Sequence, residues 1–417
     1  TSADQTAVAP GYLTRTWTQG RRRYFRYVMD APILDFYAFL SARYAVRRDH
    51  WRNVAIEVYY DRQHAYNVGR MIRAAKAALE YCTREFGPYQ HRQVRILEFP
   101  RYGEFAQSFD NTIPYSEAIG FIADVRSDDI DYPYFVTAHE VSHQWWGHQE
   151  APADVQGAAM LSETLAEYTA LMVMEKAYGR EKIGRFLRYE LDQYLQGRGG
   201  ERRAEEPLTL VENQQYIHYN KGALAMYALR DYIGEAAVNR ALRSFLDEWR
   251  FRGPPYPVSY DLVRHLRAET PDSLQYVVTN LFEQVTLWEN RTVSARARRA
   301  AGGGYEVTLT VEAKKLLADS LGNEERLPVE DWVDVGVFAG GRMASLGKRR
   351  LTGGRQTFRI TVPVAPDSAG IDPEHKLIDR NLKDNVITVA GIDRPPPWAR
   401  PGTTTRRAVS RSPSGRR

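Results

Sequence analysis

The chain has 417 residues, 43% of them hydrophobic and 26% charged, with 57 basic residues against 52 acidic ones. That length exceeds one ordinary core, so two or three domains are expected, and a single cysteine excludes an internal disulfide framework. The formal charge of +5 is a property of the tail, because residues 394–417 hold seven arginines and no acid, leaving −2 for the rest and no basic folded face for nucleic acid.

Residues 1–20 are small and polar and read as a linker. The stretch PILDFYAFLSARYAV (32–46) is aromatic and apolar. Residues 53–60 and 93–99 read as strands flanking a helix from about Asn67 to Phe86, closed by Gly87-Pro88, with Cys82 at a packing position. An aromatic run starts a helix near Tyr134 that should stop at Gly147. After Pro152 and Gly157 a second helix starts near Ala159, where Leu161, Leu165, Tyr168, Leu171 and Met172 recur at helical spacing. Amphipathic helices continue to about residue 286, one of them starting at Ser259. From about residue 291 the period changes to two: Tyr305, Val307, Leu309 and Val311, then Val333, Val335 and Val337, then Phe358, Ile360 and Val362. Short alternating strands with glycine-rich turns argue a β-sandwich. The tail, rich in Arg, Pro, Ser and Thr, cannot bury a core and reads as disordered. No apolar run is long enough to span a bilayer, and no signal peptide is recognised.

The chemistry concentrates in residues 139–168, HEVSHQWWGHQEAPADVQGAAMLSETLAEY. On a helix, positions i and i+4 share a face, so His139 and His143 can reach one metal ion while Glu140 faces a water molecule beside it. This is the HExxH arrangement, with histidine ligands and a glutamate general base. Glu163 falls near the start of the second helix, where a helix–loop–helix hairpin would bring it to the same ion. Two histidines, one carboxylate and an open position make a catalytic zinc site. Glu167, one turn on, is either a partner for the far nitrogen of a ligand histidine or a solvated helix charge.

The runs HEVSHQWWG and LSETLAEY resemble zinc metallopeptidases of the aminopeptidase N and leukotriene hydrolase family, whose pattern is HExxHxWxG followed by NEG-F-A-x-Y. Two departures are visible: the spacer between His143 and Glu163 is one residue longer than the family's, and Thr164 replaces a glycine. The resemblance implies a mainly helical, thermolysin-like α+β catalytic domain, a following β-sandwich and a remnant of a preceding β domain. The expected divisions are 1–48 for linker and remnant, 49–287 catalytic, 288–392 β-sandwich and 393–417 tail. It also implies one zinc ion on His139, His143 and Glu163, a peptide substrate, and Glu140 as the base. Tyr219, in the Y-x-K-G setting of Tyr219 to Gly222, is implied as the donor to the oxyanion, with Tyr216 and His218 as neighbouring candidates. The family's G-x-M-E-N segment, whose glutamate binds a substrate's amino terminus, is absent. Glu117 in NTIPYSEAIGFIADV stands two positions away, a shift that keeps the same strand face, and reads either as an amine contact or as an ordinary charge. The stretches 151–176 and 363–381 look like a bacterial subgroup fused to an ABC-type permease, which implies a membrane-bound parent with its transmembrane part before Thr1 and a soluble piece here. Two further readings stay open: a catalytically weak peptide-binding module of a transporter, and a zinc endopeptidase. The remaining histidines (His50, His64, His91, His148, His265 and His375) show no ligand spacing and read as structural or surface residues.

Overall fold

The computed structural model describes residues 1–126, 129–319 and 321–391. They form two compact units: Thr1–Asn290 with Ala313–Val329 and Glu374–Leu382, and Arg291–Glu312 with Glu330–Pro373 and the residues from 383 on. The arginine-rich tail read as disordered lies outside the described residues.

The first unit does not open with a linker. Strand Thr6–Val8 pairs antiparallel with Leu40–Ala42, and Tyr12–Gln19 pairs with Arg22–Val28. The expectation of a linker followed overall polarity. Tyr12, Thr14, Thr16 and Thr18 at alternate positions, and Trp17 between the last two, have β propensity even where the strand is exposed, and Gly20 supplies the positive φ of +58° at the hairpin tip.

A four-stranded sheet follows, in the order Ala45–Trp51, Val54–Tyr60, Gln93–Phe99, Thr112–Ser116. The first pair is antiparallel and the other two are parallel. Parallel neighbours need a crossover, and helix α1 (Val68–Phe86) provides it, as the sequence predicts. One apolar face of the sheet (Val54, Ile56, Val58, Val94, Ile96) shares a core with Met71, Ala75, Ala78, Leu79 and Cys82 of α1. The Cys82 thiol is fully buried, 3.8 Å from Ser142 Oγ.

The helix carrying the histidines, α2, spans Tyr132–Ser142. It begins two residues earlier than expected because Asp131 caps it, accepting from Tyr134 N at 3.2 Å, with Pro133 in the first turn. It also ends earlier than Gly147. Tight turns from Val141 O to Gln144 N and from Ser142 O to Trp145 N close it, driving the Trp145 and Trp146 rings into full burial. Gly147 then reverses the chain at φ +101°.

The second helix begins as a π turn, Met160–Thr164, and continues as α3 (Leu165–Tyr178). All five of its predicted core positions (Leu161, Leu165, Tyr168, Leu171, Met172) are fully buried. A π turn takes one more residue than an α turn, so the extra residue of the His143–Glu163 spacer can be absorbed here as well as in the loop. Helix α4 (Arg180–Gly200), a second π turn (Tyr216–Lys221), α5 (Gly222–Ile233), α6 (Glu235–Trp249) and α7 (Ser259–Glu269) follow, and a short α8 (Gln275–Val278) running into a π turn at Thr279–Glu283 completes the helical part. Among the described residues no helix is long and apolar enough to cross a membrane.

The second unit is built of strands. Residues 305–312 pair antiparallel with 355–362. Trp332–Ala339 lies between Arg342–Arg350 and Ser368–Ile371, and the latter pairs with Val386–Thr388. Period-two burial holds for Val307, Leu309 and Val311, whereas the strand carrying Val333, Val335 and Val337 also buries the intervening Asp334 and Gly336 and is covered on both faces. Phe358, Ile360 and Val362 alternate with the exposed Thr357, Arg359 and Thr361, Phe358 being half-buried and the other two buried.

Candidate metal centre and active site

Helix α2 and the π turn bring the three predicted ligands together. His143 Nε2 is 3.0 Å from His139 Nε2 and 3.2 Å from Glu163 Oε2, and His139 Nε2 is 3.3 Å from that same oxygen. Ligand atoms at about 2.0–2.2 Å from a tetrahedral ion stand about 3.3–3.6 Å apart. The triad matches that edge length to within a few tenths of an ångström.

The far nitrogens decide what the near ones can be. His143 Nδ1 faces Trp146 O at 3.0 Å, and His139 Nδ1 is 2.7 Å from Glu167 Oε2. With protons on both Nδ1 atoms, each Nε2 presents a lone pair to the other and to a carboxylate oxygen. Three electron-rich atoms at this spacing, two of them on buried residues, repel one another unless a cation lies between them. The donor set therefore fits zinc, and Glu167 stands where a partner for a ligand histidine belongs, buried at 5% exposure rather than solvated. Among the described residues only one other His/Cys/Asp/Glu group has comparable spacing.

Glu140 lies on the same helix at 6% exposure, and its Oε2 has no hydrogen-bond partner among the described residues. Burial raises its pKa above the usual carboxylate range, which makes the group a better proton acceptor than an exposed glutamate. Tyr219 lies in the second π turn with its ring centroid 5.8 Å from that of His139. Burial, and then the charge of Glu163, hold its phenol protonated by raising its pKa. His218 is buried with its ring against Tyr219, centroids 4.5 Å apart, and burial lowers its pKa to about 4. Tyr216 packs instead over Gly197 and Tyr194.

Thr164, the departure from the family's glycine, has a visible task. Its Oγ1 donates to His218 O at 2.6 Å, and it fills the space beside Gly222, where a Cβ would come within 2.5 Å of that oxygen. The hydroxyl thereby joins the ligand segment to the tyrosine segment.

Glu117 is not on a strand. The strand ends at Ser116 and Glu117 opens a π turn, Glu117–Phe121, so the even-shift argument for its strand face does not apply. Its charged neighbours are His64 (Nδ1 at 3.7 Å) and Arg101 (Nε at 3.7 Å). His64 in turn contacts Glu98, a pair that raises the His64 pKa. His64, Glu98 and Glu117 are the second group with metal-like spacing.

Four histidines that the sequence marks as structural or surface residues thus have carboxylate partners distant in sequence: His64 as described, His91 and His148 on Asp110 at 3.0 and 3.2 Å, and His265 on Glu248 at 2.9 Å. Sequence spacing could not reveal them, because each set is assembled from separate elements. The same holds for Glu190, on α4, whose Oε2 accepts from Asn220 Nδ2 at 2.5 Å. A charge on the apolar face of a helix was its only sequence signal.

Comparisons with known proteins agree with this geometry. The chain is 25% identical over 191 residues to "Probable aminopeptidase 1" of Sulfurisphaera tokodaii, covering 43% of this chain and 24% of that protein. It is 22% identical over 209 residues to "Endoplasmic reticulum aminopeptidase 2" of Homo sapiens, covering 48% and 22% respectively. The chain thus spans about a quarter of the length of these curated relatives. A crystal structure of Legionella pneumophila aminopeptidase A in complex with aspartic acid superposes with a TM-score of 0.61 at 13% identity, over 90% of this chain and 43% of that one. At that identity the likeness establishes a shared fold, α+β with a helical centre and β-rich ends. The profile described as Peptidase family M1 domain matches residues 71–283, half of the chain and all of the segment holding the triad, Glu140 and Tyr219, and the chain belongs to peptidase family M1.

Proposed function

We propose that this chain hydrolyses peptide bonds with one zinc ion held by His139, His143 and Glu163, and that it acts as an aminopeptidase. The observation that carries the reading is the convergence of two Nε2 atoms and one carboxylate oxygen within 3.3 Å, with each Nδ1 facing its own acceptor. Zinc in such a site supplies Lewis-acid polarisation of a carbonyl and lowers the pKa of a water molecule.

The chain's own groups account for the proton traffic. Glu140, buried and with its Oε2 unpartnered among the described residues, takes the proton of the attacking water and returns it to the leaving amine. The Tyr219 phenol, kept protonated, donates to the oxygen on which negative charge develops. Glu167 orients His139. Glu117, with His64 and Arg101 beside it, is the candidate contact for a substrate amino terminus.

The organisation into a β remnant, a catalytic domain to about 287 and a β-sandwich to about 392 belongs to this reading. So does a parent protein fused to an ABC-type permease, which rests on the resemblance of residues 151–176 and 363–381 alone.

One observation favours a second reading, a zinc endopeptidase. Glu117 already has cationic neighbours, which would weaken its hold on an ammonium group. Zinc content and hydrolysis of aminoacyl reporters and of acetylated peptides, compared between this chain and Glu140→Gln, test both. One bound zinc, with aminoacyl hydrolysis lost in Glu140→Gln, supports the proposal. Internal cleavage of acetylated peptides supports the second reading, and a chain that binds no zinc refutes both.

A further inference from the structure

Tyr219 lies on a π turn, a conformation that is rare in isolation and is kept where surrounding contacts hold it. Three other residues of this turn, His218, Asn220 and Lys221, are tied to other elements. The His218 carbonyl accepts from Thr164 Oγ1 at 2.6 Å. Lys221 Nζ is 2.9 Å from Glu205 Oε1, with the lysine 1% exposed. Asn220 Nδ2 donates to Glu190 Oε2 at 2.5 Å.

These ties are not equivalent. Thr164 follows the ligand Glu163 directly, so that bond serves the metal and the tyrosine together. Lys221 joins a larger ionic cluster in which Glu205 also takes Arg198 and Tyr194. The Asn220 amide is a single bond from the residue after the phenol to a carboxyl on α4, and Glu190 is 2% exposed. A buried carboxyl is costly to leave without a partner, and its placement opposite Asn220 fixes one orientation of the turn.

We propose that the Glu190–Asn220 hydrogen bond positions Tyr219 for the reaction, with Glu190 acting as a positioning residue through Asn220. The inference rests on the catalytic reading of Tyr219 given above. Loss of the bond frees one side of the turn, and the phenol drifts from the oxygen it must meet. Small misplacements of this kind cost up to about a hundredfold in rate, with binding little changed.

The test combines kinetics with structure on the full zinc-loaded chain. Tyr219→Phe is expected to lower kcat about a hundredfold. Asn220→Ala and Glu190→Leu are expected to lower it about tenfold with KM within twofold. Glu190→Gln, whose amide oxygen still accepts from Asn220, restores the rate to within about twofold. In the Tyr219→Phe background, Asn220→Ala should cost nothing further, an outcome that general loss of stability would not produce. A crystal structure of Asn220→Ala should show the Tyr219 ring displaced, and this readout is independent of turnover. Full rate and an unmoved ring in Asn220→Ala overturn this proposal alone. An equal loss in the Tyr219→Phe background overturns it as well, because the bond then does not act through the phenol. Full rate in Tyr219→Phe overturns the catalytic role of Tyr219 and the positioning proposal together.

Discussion

Glu167 offers the sharpest test of the metal centre, because it touches no metal yet should set metal affinity. Its Oε2 lies 2.7 Å from His139 Nδ1, and the two side chains are 6% and 7% exposed. A hydrogen bond to a charged group contributes about 1.5–3 kcal/mol, an upper bound for this contact, which has the distance of an ion pair but not the alignment of a hydrogen bond. At about 1.4 kcal/mol per tenfold, that corresponds to a factor of about 10 to 150 in zinc affinity. Removal of such partners in other zinc sites costs about 10–100-fold. Glu167→Ala should therefore raise the zinc Kd by about 10–100-fold. Glu167→Gln keeps an oxygen for the imidazole N–H but loses the charge, and should fall between wild type and alanine. Competition against a fluorescent chelator measures Kd directly, and urea denaturation of the metal-free proteins separates folding loss from metal loss. A folded Glu167→Ala protein with a Kd within about threefold of wild type would refute the assignment of Nδ1 as the proton-bearing nitrogen, and with it the argument that both Nε2 lone pairs face the site.

Three further outcomes follow from other buried contacts. Thr164→Val keeps the shape but strips the His218 carbonyl of its 2.6 Å donor; the cost should be about 1–3 kcal/mol by urea denaturation, and a neutral result would mean that water replaces the hydroxyl. Lys221→Met removes one cation from Glu205 but leaves Arg198 at 2.6 Å and Tyr194 at 2.7 Å. It should cost about 2 kcal/mol, less than the 3–5 kcal/mol of a pair broken outright, and a loss as large as 5 kcal/mol would show that those partners do not compensate. His375 is held neutral, its pKa lowered to about 4 by burial first and by Arg188 second. Since the unfolded chain takes up this proton near pH 6.5 and the folded one does not, the His375 contribution to stability should be constant above that pH. It should then fall by about 2 kcal/mol on going to pH 5. His375→Asn, which tolerates the residue's φ of +56°, should remove that part of the slope, and an unchanged slope would refute the assignment.

What the sequence made legible was set by the range over which each feature is decided. The pair His139 and His143 is a property of one helix turn, and the burial of Leu161, Leu165, Tyr168, Leu171 and Met172 is a property of one helix face. Both could be read locally. The crossover of α1 between the parallel strands was legible for the same reason, since its apolar stripe and closing Gly87-Pro88 lie within one segment. Glu190 and Asn220 are 30 residues apart, and His64 meets Glu98 at a separation of 34. No periodicity links such pairs, and only the packing of α4 against the π turn and the order of the sheet bring them together. The two misplaced boundaries have a different origin. Polarity hid the strands before residue 20, because an exposed hairpin need not bury one face. The early end of α2 followed from burying two tryptophans, a tertiary demand that overrides helix propensity.

Thr164 shows how a departure from a family pattern should be weighed. As a letter in a motif it replaces a glycine and weakens the match. In the folded chain its hydroxyl bonds the carbonyl next to Tyr219, and Gly222 leaves the room that its side chain requires. The threonine, the opposing glycine and the pair Glu190–Asn220 thus converge on one turn. If that turn carries the phenol of the reaction, substitutions at these positions should be coupled to one another through Tyr219, rather than additive as they would be at independent packing sites.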